Sequence, residues 1–342
     1  METYDGGMGC FVNERYMCTY EADSIRIHDL RSNGRILITA EDIDSMCACD
    51  VKNALFYFTW PGVGIMLDVT TGGVLGTWDI LSSYSAHPDD ANVSGFPDIE
   101  LCVCGTTHAA GITDDVFVIV CRLDAPGETP RVLTHERKVV TASFHPTKNE
   151  LVVFCSGVHS HNLYIWCTET WNLLRTVYTG SRVSCAAHSP CGNYLAMGDC
   201  SYTRIQVRRC CDYERLILDL WGNNLVTSIA FSPCSQFILT GDTQLNLCEW
   251  DWKQQQCLSR TASFWDITNT ISLIDACAYV KSGAVAALTN NNSYVVPWTY
   301  YGHAANATYA YILKLLTKQE WWPTDVGGVV LSYLTVPRLT FE

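Results

Sequence analysis

LVTSIAFSPCSQFILTGDTQLNLCEWDWKQQQCLS, residues 225 to 259, is the stretch whose reading decides the fold. It divides into VTSIAF, FILTG, LNLCEW and QQCLS, four short runs rich in β-branched, aromatic and thiol side chains. SPCSQ, DTQ and DWKQ separate the runs and carry the residues of tight turns. Four such runs joined this closely predict an antiparallel meander. Pro233 presets φ and Ser232 hydrogen-bonds locally, which suits a type I turn, and the third run closes on Trp250-Asp251.

One meander of this size leaves both of its faces uncovered, so copies are expected at a period of about 40 to 45 residues. Residues 183–220 repeat the layout, with His188-Ser189-Pro190 in the turn and Arg208-Arg209 in place of Trp-Asp. Residues 139–177 repeat it again, with His145-Pro146 and Trp166-Cys167. Spacing then places further units within 7–40, 45–79, 98–135 and 272–315, the first with His28-Asp29 at the Trp-Asp position.

The Ser-Pro turn, the small-residue end Thr240-Gly241 and Trp250-Asp251 fall in the order found in WD repeats, and the unit resembles one blade of a WD-repeat β-propeller. The resemblance implies an all-β fold, a single seven-bladed β-propeller of four-stranded antiparallel blades. The propeller is expected over residues 1–316, followed by a short C-terminal tail, 317–342, of helical character.

Composition narrows the function. Apolar residues make up 48% of the 342, enough for one core, while the longest apolar runs fall far short of the roughly 20 residues that cross a bilayer. METYDGGMGC has no basic segment followed by an apolar one, so no secretory signal is read and a cytoplasmic or nuclear location is expected. Asp and Glu outnumber Lys and Arg by 35 to 22. The net charge of −13 opposes contacts to nucleic-acid phosphate and to anionic membranes and favours basic or neutral protein partners, although it equally serves solubility.

Eighteen cysteines raise the question of metal or disulfides. No C-x-x-C occurs; Cys47/Cys49 and Cys102/Cys104 each put two sulfurs on one face of a strand, with no histidine at ligand spacing. The thiols therefore read as small packed hydrophobes, reduced and metal-free. His159 and His161 share a loop but lack a third ligand in sequence.

No nucleophile elbow, phosphate loop or H-E-x-x-H helix is present, so the expectation is a non-enzymatic interaction scaffold without cofactors, one subunit of a larger assembly. The family comparison points to the rim that holds the connections between blades and those between second and third strands. On that rim fall His135, Glu136 and Arg137, then Ser181 and Arg182, then Trp221, Asn223 and Asn224, then Phe264, Trp265 and Asp266. Trp221 and Trp265 have the composition of interface anchors, or else fold back as plugs over their own blades.

Two segments exceed a bare ring. ILSSYSAHPDDANVSGFP, residues 80–97, is a long connection dense in Ser, Asp, Pro and Gly, read either as a binding loop or as a disordered one. PTDVGGVVLSYLTVPRL, residues 323–339, resembles the start of an F-box, with Val326, Val330, Leu331 and Leu334 on one helical stripe and Trp321 and Trp322 just before it. Trp322 departs from the family's Leu, and Gly327-Gly328 costs a helix about 1 kcal/mol per glycine. The tail is expected either to latch the ring or to recruit an adaptor, the latter as in a ubiquitin-ligase substrate receptor.

Overall fold

The computed structural model describes residues 8–12, 15–21, 23–29, 35–49, 52–60, 62–84, 98–113, 116–156, 162–180, 182–199, 203–213, 216–221, 224–244, 246–260, 274–279, 284–289 and 298–299. These form a series of antiparallel sheets, each from consecutive strands. The first holds β1 (Met8–Phe11), β2 (Tyr16–Glu21), β3 (Ser24–Asp29) and β4 (Arg35–Thr39). The second holds β5 (Ile43–Cys49), β6 (Ala54–Thr59), β7 (Val63–Asp68) and β8 (Val74–Asp79). A single helical turn, α1 (Leu81–Tyr84), follows, and then the third sheet: β9 (Ile99–Cys104), β10 (His108–Thr113), β11 (Phe117–Arg122) and β12 (Arg131–Thr134).

The fourth sheet contains β13 (Val139–Phe144), β14 (Glu150–Cys155), β15 (Asn162–Cys167) and β16 (Leu173–Tyr178). The fifth contains β17 (Val183–His188), β18 (Tyr194–Asp199), β19 (Arg204–Arg209) and β20 (Leu216–Trp221). The sixth contains β21 (Val226–Phe231), β22 (Phe237–Asp242), β23 (Leu247–Asp251) and β24 (Gln256–Arg260). A seventh has three described strands, β25 (Ile274–Tyr279), β26 (Ala284–Thr289) and β27 (Trp298–Thr299). The expected fourth strand of that unit, most of the 80–97 connection and the whole tail lie outside the described residues.

Burial explains why these segments are strands. In β5 the pattern alternates, with Ile43, Ser45, Cys47 and Cys49 buried and the residues between them half-buried. In the second to sixth sheets the second strand is covered on both faces, and β6 is buried continuously from Ala54 to Phe58. The outermost strand β8 alternates again: Gly76 and Trp78 turn inward while Val74 and Thr77 are exposed.

The apolar cores lie between sheets, not within them. One cluster joins the first and second sheets, another the second and third, and three more continue the series to the sixth. At the second interface Phe56 meets Phe58 edge-on at 5.1 Å and Trp78 at 5.3 Å. Trp78 is fully buried, and its Nε1 donates to the Arg122 carbonyl of the third sheet at 3.1 Å. Gly111 permits this approach, since a Cβ there would stand 2.8 Å from the Phe58 ring. A buried Trp of this kind contributes about 3–5 kcal/mol.

Innermost strands touch in sequence, β1 to β5, β5 to β9 and onward to β21 and β25, and β1 also touches β25 and β26. Each innermost strand from the second sheet to the seventh has a register shift at its second residue, at Asp44, Glu100, Val140, Ser184, Thr227 and Asp275. A bulge bends the strand and increases its twist, which lets successive sheets fan about a common line. Several bulged side chains bind the neighbouring sheet: Ser184 Oγ donates to the Val226 carbonyl at 2.6 Å, and Lys138 Nζ lies 3.4 Å from Glu100 Oε1.

Candidate functional site

On the rim favoured by the sequence, several polar residues are engaged within the fold. His135 is buried; its Nε2 accepts from Trp166 Nε1 at 3.2 Å, and burial pulls its pKa down to about 4, so the ring stays neutral. Its other nitrogen lies 3.3 Å from the Val116 carbonyl and carries the proton. Asn224 Nδ2 donates to Asp242 Oδ2 at 2.8 Å. The opposite face of that carboxylate accepts from the Gln244 and Asn246 amides at 2.8 and 2.9 Å, closing the β22–β23 turn. Trp250 Nε1 donates to Thr240 Oγ1 at 3.0 Å.

The fifth sheet solves the same position with a cation. Arg208 is buried where its neighbours carry Trp166 and Trp250, and its two Nη atoms donate to the Tyr213 carbonyl at 3.0 Å and the Thr179 carbonyl at 2.8 Å. Beside it, Asp199 pairs with Arg204 at 2.9 Å. Glu136, Arg137 and Arg182 are exposed, and Trp221 ends β20 opposite Arg204 in register. Asn223, Ser181, Phe264, Trp265, Asp266 and the tail residues Trp321, Trp322, Val326, Val330, Leu331 and Leu334 lie outside the described residues, as do His159 and His161.

A groove of about 870 Å³ opens on the other rim, between the third and fourth sheets. The turns between first and second strands and between third and fourth strands build it. From the third sheet come Thr107, His108, Arg122, Asp124, Glu128 and Arg131, and from the fourth come Asn149, Glu169 and Trp171. Trp171 projects from the turn joining β15 to β16, where its amide bonds the Cys167 carbonyl at 2.8 Å. Its φ is 58°, in the left-handed region, a conformation that costs a non-glycine residue about 1–3 kcal/mol. The matching turns place Gly72 and Tyr213 at the same kind of position.

The Trp171 ring is half-buried and forms one wall of the groove. His108 meets it edge-on at 5.1 Å, and the Arg131 guanidinium stands 5.8 Å over its centre. Burial and then the nearby Arg122 charge depress the His108 pKa, and Thr107 Oγ1 is bonded to its Nδ1 at 2.8 Å. Arg122 Nε donates to Asp124 at 2.8 Å, and Asn149 Nδ2 donates to Glu169 at 2.6 Å. An aromatic wall with fixed charges of both signs suits recognition of a polar chain.

Among the described residues no three His, Cys, Asp or Glu side chains are placed to hold a metal ion, and no helix is long and apolar enough to cross a membrane. No curated protein matches the chain. Residues 215–251 match the family of the WD domain, G-beta repeat. The match runs from β20, the outer strand of the fifth sheet, through the first three strands of the sixth. Residues 215–251 are thus a WD40 repeat, set among sheets that share its four-stranded plan and together fit a WD-repeat propeller.

Proposed function

We propose that the seven sheets are the blades of one closed propeller, a non-enzymatic scaffold within a multiprotein assembly, and that the groove between the third and fourth sheets receives an extended segment of another protein. WD40 repeats generally serve protein–protein interaction, and the chain carries one. Closure is supported by the contact of β1 with β25 and β26. The observation that carries the site is Trp171, a large half-buried aromatic held beside paired charges, which is the composition of an interface anchor.

Asp124, Glu128 and Glu169 outnumber Arg122 and Arg131 in the groove, so a neutral or basic segment fits its charge. Selection of a random-peptide display library against the full chain tests this. Enriched peptides should carry apolar and basic residues, and Trp171→Ala should weaken them by about 2 kcal/mol, roughly thirtyfold, in a chain that still melts cooperatively. Peptides that bind wild type and Trp171→Ala equally would place the site elsewhere.

A further inference from the structure

The two Cys-x-Cys segments meet. β5 and β9 are touching innermost strands of adjacent sheets, and each presents a pair of thiols on one face, Cys47 and Cys49 on the first, Cys102 and Cys104 on the second. Cys47 Sγ stands 2.8 Å from Cys102 Sγ, and Cys49 and Cys104 belong to the same packed cluster, two residues further along each strand. Cys47, Cys49 and Cys102 are buried; Cys104 is half-buried and donates to the Gly105 carbonyl at 3.4 Å. Disulfide sulfurs bond at about 2.05 Å, so Cys47 and Cys102 need only a small side-chain rotation to join.

We propose that Cys47 and Cys102 form an oxidisable pair, and that a peroxide converts them to a disulfide stapling the second sheet to the third. One thiol attacks hydrogen peroxide; the O–O bond breaks, one water leaves, and the sulfur becomes a sulfenic acid. The other thiol attacks that sulfur, the S–S bond forms and a second water departs, so two hydrogens and two electrons pass to one peroxide. The second step is intramolecular between sulfurs already in contact. The pair lies 55 residues apart in sequence, so the bond closes a long loop of the unfolded chain.

Chemistry sets the pace and excludes a competing role. Burial holds the Cys47 and Cys102 thiols above their ordinary pKa; at Cys49 and Cys104 the neighbouring thiols, Cys104 and Cys47 respectively, raise it first and burial adds to that, opposed at Cys104 by Cys49. Thiolate is the attacking form, so the first step is slow beside that of exposed thiols such as Cys191 and Cys234. The same protonation disfavours a metal, whose thiol ligands must ionise.

Hydrogen peroxide treatment of the full chain, alkylation with N-ethylmaleimide under denaturing conditions and mapping of a non-reduced digest test the proposal. The expected product is a cross-linked peptide pair joining Cys47 to Cys102, formed more slowly than oxidation of Cys191, reversed by dithiothreitol and accompanied by a higher melting temperature. Cys47→Ser and Cys102→Ser should each abolish it, and the double variant Cys49→Ser/Cys104→Ser should keep it. Cys47 and Cys102 that are still alkylated after prolonged peroxide treatment, carried far past complete oxidation of the exposed thiols, would overturn the proposal. So would a cross-link that persists in Cys47→Ser, or stoichiometric zinc on the untreated protein that is lost in that variant.

Discussion

Asp44 sits at the bulge of β5, with its Oδ2 buried and, among the described residues, without a hydrogen-bond partner. Burial, and then the charge of Asp98, push its pKa up to about 6, while a hydrogen bond from the Ile99 backbone acts the other way. Between about 4 and 6 the folded chain therefore holds a proton that the unfolded chain, titrating near 3.9, has released. Stability falls as pH rises through that window and stays lower above it. Asp44→Asn keeps an acceptor for Ile99 without the charge, so it should melt higher than wild type at pH 7, with the gap closing toward pH 4. Equal melting curves at pH 7 would show that the charge is solvated. Sequence gave no hint of Asp44, because a carboxylate beside an apolar run reads as solvent-facing. His135 and Asn224 went the other way: each looks like a rim residue from its loop, yet the Trp166 indole and the Asp242 carboxylate draw them inward. A polar side chain in a loop is silent about which side of the chain its partner lies on.

Strands were far more legible than the devices that join them. Two-residue alternation and turn residues mark the positions of β1 to β26, and most of the strands whose burial is described cover at least one face. The bulges stayed hidden, since acids (Asp44, Glu100, Asp275), hydroxyls (Ser184, Thr227) and an aliphatic residue (Val140) all occupy them, and the groove did too, since its walls come from turns of different sheets. A polar cluster between the fourth and fifth sheets was equally hidden. His188 Nδ1 is bonded to Ser143 Oγ at 2.8 Å, and its Nε2 lies 3.4 Å from the Tyr213 hydroxyl, which donates to Glu150 at 2.9 Å. The His145 ring lies 5.1 Å away, and the Lys148 ammonium bonds the Cys210 carbonyl at 3.0 Å. Burial first, then His145 and Lys148, lower the His188 pKa to about 3. Below the ordinary value near 6.5 the unfolded chain takes up a proton that folded His188 refuses, so stability drops as pH falls from about 6.5 toward 3. His188→Gln should flatten the fall in melting temperature between pH 6.5 and 4.5. Asp44 titrates in both chains and cancels in the comparison; parallel curves would assign the acid sensitivity to another group.

At the scale of the molecule, β1 is the strand on which the proposed closure rests, because it touches β5 on one side and β25 and β26 on the other. Every other junction between described sheets joins neighbours in sequence, whereas this one joins the two ends of the series. A chain lacking residues 1–12 should lose its single cooperative transition and melt over a broad range, the fourth and fifth sheets last, as followed by hydrogen exchange. A truncated chain that melts as sharply as wild type would mean that the first and seventh sheets do not hold one another. The repeat itself was readable from the sequence because first strands recur at intervals of 40, 44 and 43 residues from Ile99 through Val139 and Val183 to Val226. The junction was not, since the contact pairs segments with no shared motif.

The WD40 match begins one strand before the sheet it completes. Residues 215–251 thus carry the outer strand of the fifth sheet and the three inner strands of the sixth. During synthesis on the ribosome, the sheet built from a newly emerged stretch waits with an open hydrogen-bonding edge until the following stretch arrives. A nascent chain halted at Asp251 would display β23 uncapped, ready to pair with any extended segment nearby, and would be handed to chaperones instead of folding alone. Covalent continuity across sheets and a bare edge during translation are two faces of the same one-strand offset.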